Sequence, residues 1–86
     1  MKVYLVYDCW FNHIEYEYDY DKSLCGVYSS MELAKEACRN LLQEKMADCG
    51  DLKFEATFED EFEITTFDKG EPYETNTFTI EEWCVQ

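Results

Sequence analysis

The side chains that could perform catalysis in this sequence are few, and their spacing does not favour it. His13 is the sole histidine and lies four residues after Cys9, so the pair could supply a nucleophile and its base. A core thiol and a loop histidine across a turn are the simpler interpretation. The sequence contains no glycine-rich phosphate loop and no Gly-x-Ser-x-Gly elbow, and pairs drawn among 20 acidic residues carry little information. We therefore expect no enzymatic activity.

Metal binding is the second chemistry that these residue types permit. The cysteines and the histidine would have to converge on zinc from distant positions, because none has the close spacing of a zinc knuckle. These candidates are Cys9, His13, Cys25, Cys49 and Cys84. Asp19, Asp21 and Ser23 have the alternate spacing that begins a calcium loop, but Gly26 comes two positions late and no glutamate closes the loop. We expect buried free thiols and neither a metal nor a cofactor.

Carboxylates are abundant, and two segments alternate them with apolar residues. Residues 14–21 read Ile-Glu-Tyr-Glu-Tyr-Asp-Tyr-Asp, which on a strand would place four carboxylates on one face. They belong to Glu15, Glu17, Asp19 and Asp21. A second, less regular segment contributes Glu55, Glu59, Asp60, Glu61 and Glu63. Alternate residues of a strand lie roughly 6.7 Å apart, the same order as the spacing of phosphates along a nucleic-acid strand.

The overall charge restricts the possible partners. Twenty acidic and seven basic residues give a net charge of -13 on 86 residues, which excludes binding to nucleic acid or an anionic membrane through a basic patch. A hydrophobic content of 47% supplies the apolar surface that disordered chains lack. Alternating charge is also how a half-exposed strand ordinarily keeps water on its outer face, which is the simpler interpretation of either segment alone. Solubility of a small domain needs a net charge of only about 2 to 8, so the excess favours a functional role.

The cysteines and the hydropathy indicate a cytoplasmic protein. Five cysteines are an odd number, and they form no Cys-x-x-Cys pair. The N-terminus does not resemble a secretory signal, and no apolar run approaches the roughly 18 residues of a membrane span. Reduced thiols in a cytoplasm are the simplest interpretation.

The pattern of residues predicts one helix and several strands in a single domain over residues 1–86. Ser29-Ser30-Met31-Glu32 has the spacing of a capping box, and apolar residues then recur every three or four positions to Met46, so we expect a helix over about residues 30–48 that ends at Gly50. The strands are expected at 2–9, 14–21, 24–28, 52–58, 62–67 and 73–80. The fold class is therefore α+β, an antiparallel-rich sheet of four to six strands packed against one main helix.

Turn residues refine this prediction. Residues 2–9 are apolar on both parities at their centre, which indicates a central strand covered on both faces. Trp10 to His13 is expected to form a turn, with Asn12 in the left-handed conformation. Residues 68–71 are expected to form a longer hairpin loop around Gly70, and Pro72 marks the start of the next strand or an edge.

The segment from Gly26 to Ala37, Gly-Val-Tyr-Ser-Ser-Met-Glu-Leu-Ala-Lys-Glu-Ala, resembles a strand-to-helix junction that recurs in small uncharacterised phage and bacterial proteins. The opening Lys-Val-Tyr-Leu-Val-Tyr fits the same pattern, so the resemblance covers about half of the chain. It implies an α+β fold and carries over no catalytic residue. In size and acidity the chain also resembles phage inhibitors of host defence, which include anti-CRISPR proteins, inhibitors of uracil-DNA glycosylase and anti-restriction proteins.

These features lead to two hypotheses. In the first, the protein is an anti-CRISPR or related anti-defence inhibitor that occupies the basic DNA- or RNA-binding groove of a host protein, such as a CRISPR effector or another defence nuclease. The nine acidic residues of the two segments named above would bind the groove. In the second, the protein is an interaction adaptor that binds a partner through a sheet edge or a helix face without mimicking nucleic acid.

Overall fold

The computed structural model describes residues 1–15, 17–18, 22–58 and 62–85, and for residues 17 and 18 it describes the backbone. The described residues form one α+β domain of six strands and one helix, which confirms the predicted fold class. In chain order the elements are β1 (Lys2–Asn12), β2 (Glu17–Tyr18), β3 (Ser23–Tyr28), α1 (Met31–Asp48), β4 (Lys53–Thr57), β5 (Phe62–Asp68) and β6 (Glu71–Cys84).

All neighbouring strands in the described sheet are antiparallel, in the order β2-β1-β6-β5-β4, and β3 pairs with the same edge of β1 as β2 does. The longest ladder joins β1 to β6, from Lys2 opposite Cys84 to Asn12 opposite Glu74. β1 is therefore central, as predicted. The ladder makes the domain elongated, with extents of 49 × 24 × 19 Å.

One face of the sheet packs against α1. Its centre consists of Val6, Ile64 and Phe78, which alternate with solvent-side residues along their strands and are nearly inaccessible. The helix contributes Ala34, Cys38 and Leu42, each fully buried at four-residue spacing. Burial of a valine, leucine, isoleucine or phenylalanine side chain typically stabilises a fold by about 1.5 to 3 kcal/mol, so this cluster is the main source of stability.

The ends of α1 follow from local chemistry. Ser30 is the N-cap, and its Oγ accepts a hydrogen bond of 3.2 Å from the Leu33 amide. The expected capping box is wrong in register, because its Glu32 would pair with Ser29 and the cap lies one residue later. Gly50 has a φ of 59° directly after the C-cap Cys49, which is the left-handed position where glycine ends helices.

The hairpin between β5 and β6 is tighter than predicted. Asp68 pairs with Glu71, so the loop consists of two residues, and Lys69 and Gly70 both have positive φ, at 54° and 82°. Positive φ at both loop positions is the signature of a type I′ turn, whose twist matches that of the flanking strands. Pro72 lies at the start of β6, as expected, opposite Phe67 where the register shifts.

The first predicted turn is wrong. Trp10 to Asn12 continue β1 because they pair with residues 74–76 of β6, and the turn lies at residues 13–15. Asn12 does not adopt positive φ. Instead its Oδ1 accepts hydrogen bonds from the amides of Ile14 and Glu15, at 2.9 and 3.1 Å, and so stabilises the turn from within the strand.

Within the described ranges, no helix combines the length and the apolar character needed to cross a membrane.

Candidate partner-binding surface

The face of the sheet opposite α1 carries no second layer in the described part of the chain, and we call it the open sheet face. Strand register assigns to it the residues that alternate with the buried core positions. They are Val3, Leu5, Tyr7, Cys9 and Phe11 of β1, Leu24 and Val27 of β3, Thr75, Thr77, Thr79, Glu81 and Trp83 of β6, Glu63, Thr65 and Phe67 of β5, and Lys53, Glu55 and Thr57 of β4. The sequence prediction that β1 is covered on both faces is therefore wrong for the described structure.

One side of the open sheet face is apolar. We define the apolar strip as Val3, Leu5, Tyr7, Phe11, Leu24, Val27 and Trp83. Leu24, Val27 and Trp83 each retain 55% of their accessible surface, although all three lie within paired strands. Large apolar side chains that share one exposed surface are typical of binding sites, whereas single ones are ordinary.

The middle of the open sheet face is polar, and its side chains are hydrogen-bonded to one another at the end near His13. His13 Nε2 lies 2.6 Å from Thr75 Oγ1, which in turn lies 2.9 Å from Thr65 Oγ1. The ring of Phe11 packs edge-on against that of His13, with centroids 4.6 Å apart. His13 is thus held by Thr75 and Phe11, which supports a structural role for its imidazole.

The opposite side carries two carboxylates, and Lys53 lies on the same face at the start of β4. Glu55 of β4 pairs with Thr65, and Glu63 of β5 pairs with Thr57, so the two carboxylates lie diagonally on neighbouring strands of one face. We call Glu55 and Glu63 the acidic margin. Across the sheet the open face therefore changes from apolar at β3 and β1, through threonines on β6, to two glutamates and one lysine at β5 and β4.

A lysine bridges the apolar strip. Lys22 Nζ lies 3.1 Å from Glu81 Oε1 and 5.7 Å from the centre of the Tyr7 ring, and Trp83 Nε1 donates to the other Glu81 oxygen. The hydrogen bonds from Lys22 and Trp83 lower the pKa of Glu81, and the bond to Glu81 raises the pKa of Lys22. This contact neutralises the acid that lies within the apolar strip.

Most of the described negative charge is not paired in this way. Two ion pairs form among the described residues, Lys22 with Glu81 and Lys2 with Glu82. Both are solvent-exposed, so each contributes little to stability. The carboxylates of the acidic margin form neither pair and remain available to a basic partner.

The structure brings together a small part of the predicted acidic surface. Glu55 and Glu63 share the open sheet face, whereas Glu15 is exposed in the turn after β1 and so does not extend a strand row as predicted. Glu17 lies in β2 opposite Asn12, so the described part of the expected strand over residues 14–21 is a turn at residues 14 and 15 and a strand at residues 17 and 18. Asp19, Asp21, Glu59, Asp60 and Glu61 lie outside the described residues.

The cysteines do not form a site in the described part of the chain. All five are free, and no group of three or more histidine, cysteine or acidic side chains is arranged to hold a metal ion. Burial raises the pKa of the Cys38 thiol to about 11 and also raises the pKa of Cys49. These two thiols are therefore poor nucleophiles.

Comparison with the curated proteins and with the solved structures found no match. A family model does match, over residues 1–86. Because that model spans the whole chain, the protein belongs to the family described as a domain of unknown function, DUF7336.

Proposed function

We propose that this protein is a non-enzymatic binding module whose open sheet face contacts a partner protein. The observation that carries the proposal is the uncovered sheet face, on which an apolar strip lies beside the acidic margin. A two-layer domain normally leaves polar residues on its solvent face, and here three large side chains on that face are 55% exposed. The partner would bring an apolar patch and, beside it, basic residues.

The net charge supports a basic partner. A charge of -13 with two exposed ion pairs in the described residues produces a negative field around the domain. Such a field accelerates association with a basic surface and disfavours association with a second copy of the chain. Apolar anchors such as Trp83 would supply the affinity that surface charge alone does not. We propose a cytoplasmic location, which the five free cysteines favour.

Substitutions on two surfaces test this proposal. The bait proteins are the wild type, Trp83→Ala on the open sheet face, and Leu52→Ala as a matched control, since Leu52 is an exposed apolar residue outside that face. Each bait is incubated with host lysate, captured proteins are identified by mass spectrometry, and binding of the purified partner is measured by calorimetry. We expect Trp83→Ala to weaken binding by about tenfold or more and the control to leave it unchanged. Equal binding by all three proteins would contradict the proposal.

The second candidate function is the narrower one, an anti-defence inhibitor that excludes DNA or RNA from a basic groove. The observation in its favour is the acidic margin, because Glu55 and Glu63 lie on one face and form neither of the ion pairs described above. The groove would belong to a CRISPR effector or another defence nuclease. Residues 59–61, which join the strands of the acidic margin, would add three further carboxylates.

Competition and salt separate the two candidates. An inhibitor of this kind would be displaced from its target by a DNA or RNA oligonucleotide, and its affinity would fall steeply with added salt. A module held mainly by the apolar strip would not be displaced by an oligonucleotide, and its affinity would change little with added salt. Charge reversal at Glu55 and Glu63 together should abolish inhibition while circular dichroism shows an intact fold, and full inhibition by that variant would exclude the narrower function.

A further inference from the structure

The two free edges of the described sheet differ in their protection against strand pairing. β4 carries Lys53 and Glu55, and charges on an edge strand discourage the addition of another strand. β3 forms the other edge together with β2, and its sequence Ser-Leu-Cys-Gly-Val-Tyr contains no charge and no proline. Of the described residues, none pairs with the outer edge of β3, so its outward-directed amides and carbonyls remain available for a ladder.

A groove follows this edge on the side of α1. Its volume is about 270 Å³, and its wall on β3 is formed by Cys25 and Tyr28. The Tyr28 side chain lies along the strand over Gly26. A Cβ at position 26 would be 2.7 Å from the Tyr28 hydroxyl, so glycine is needed there to leave room for the ring. The ladder with β1 shifts register at this point, and Cys25 is the extra residue.

The helix supplies the other wall of the groove. One side of α1 lines the groove with three apolar and three polar residues. They are Leu33, Glu36, Ala37, Asn40, Leu41 and Glu44. From Leu33 to Glu44 the helix rises about 17 Å, which is the length of about five residues of extended chain. The groove therefore matches one short strand in length.

The two faces of an added strand would meet different chemistry. On one side, its residues would lie next to Leu24 and Val27, which are apolar and exposed. On the other side they would enter the groove, where long basic side chains could lay their aliphatic stems over Leu33 and Leu41 and place their charges at Glu36 and Glu44. Both glutamates are exposed and belong to neither ion pair of the described residues.

We infer that the edge of β3 and its groove bind an extended segment of a partner protein, in which apolar residues alternate with lysine or arginine. The segment adds to the sheet as a strand beside β3, a recognition mode in which the main chain supplies affinity and alternate side chains supply specificity. This site is distinct from the acidic margin on the open sheet face, so it stands whether or not the acidic margin binds a partner.

A fluorescent peptide with the sequence Lys-Val-Lys-Val-Lys-Val-Lys tests this site by anisotropy. We expect it to bind the wild type more tightly than Lys-Lys-Val-Val-Val-Lys-Lys, which has the same charge without the alternation. The double variant Glu36→Gln with Glu44→Gln should weaken binding by about tenfold, since each partly exposed ion pair contributes a few-fold. The matched control is Glu55→Gln with Glu63→Gln, which changes the net charge equally on the other acidic surface and should leave binding unchanged.

Backbone methylation of the peptide tests strand addition itself. Alternate residues of an edge strand direct their amides toward the neighbouring strand, so N-methyl groups at one set of alternate positions should abolish binding, while the other set should permit it. Equal binding of both methylated peptides would overturn strand addition. Failure of the unmodified peptide to bind, or loss of its binding in the control variant alone, would overturn the site at β3.

Discussion

Charge reversal within the acidic margin should stabilise the fold and, at the same time, weaken binding to a basic partner. Glu63 is half-buried on β5 and lies diagonally from Glu55, on a domain whose net charge is -13. Diagonal neighbours on a sheet face are roughly 7 Å apart, and at that distance two like charges repel by about 0.6 kcal/mol in water. Glu63→Lys replaces this repulsion by an attraction of similar size, so we expect the free energy of unfolding to rise by about 1 kcal/mol.

Urea denaturation at two salt concentrations measures this effect. At about 10 mM salt the Debye length is about 30 Å and the order of stability should be Glu63→Lys, then Glu63→Gln, then the wild type. At about 1 M salt the Debye length is about 3 Å, and the three proteins should become nearly equal. The glutamine variant keeps the size of the side chain, so it separates charge from packing.

Two results would refute this reasoning. If Glu63→Lys is less stable than the wild type at low salt, the carboxylate makes a favourable contact that outweighs its repulsion. If the gain persists in high salt, packing rather than charge causes it. The same variants report on function, because Glu63→Lys should weaken capture of a basic partner by the same change that stabilises the domain.

Three further predictions concern the core, the hairpin and the thiols. Leu42→Ala should lower the free energy of unfolding in urea by about 2 to 5 kcal/mol, because it empties a fully buried site between α1 and the sheet; a loss below that range would mean that the site collapses. In thermal melts Gly70→Ala should destabilise by about 1 kcal/mol and Lys69→Asn should stabilise, since both positions have positive φ and asparagine tolerates it better than lysine; equal melting temperatures would contradict the turn type. The raised pKa of Cys38 favours its neutral thiol in the folded state, so stability should be retained below pH 9 and fall by up to about 3 kcal/mol toward pH 11. Cys38→Ala should reduce that fall in urea titrations, and an unchanged pH profile would refute the assignment.

Local sequence signals predicted the helix because each signal acts over one turn. Ser30, Gly50 and the spacing of Ala34, Cys38 and Leu42 all concern groups within four residues of one another. The predicted N-cap is wrong by one residue because Ser29 and Ser30 are adjacent, and the second of them is the cap.

Long-range pairing explains the parts that were not predicted. The sequence predicts a turn at Trp10 to Asn12, but these residues continue β1 because they pair with residues 74–76 of β6. The predicted last strand ends at Ile80, but β6 continues to Cys84 because residues 81–84 pair with residues 2–5 of β1. Neither strand extension can be predicted from a short stretch of sequence, because each depends on pairing with residues far along the chain.

The candidate surface was partly accessible to sequence reasoning. Glu55 and Glu63 share odd parity in two strands of one hairpin, so their common face follows once the register is known. Apolar residues on both parities of β1 predict a strand covered on two faces, so the sequence pattern does not reveal the apolar strip. A single predicted helix can cover one face of a sheet, which would have indicated that the second face remains open.

The position of β6 has a consequence for how the chain acquires its structure during synthesis. β6 lies between β1 and β5, so the two halves of the sheet cannot join until residues 71–84 have left the ribosome. Before then the nascent chain consists of two separate pieces, β1 to α1 and the β4–β5 hairpin, with an unpaired edge on β1 and another on β5. Such edges attract other strands, and non-local pairing is slow to form. We therefore expect the nascent chain to be most prone to aggregation, and most dependent on chaperones, immediately before β6 emerges.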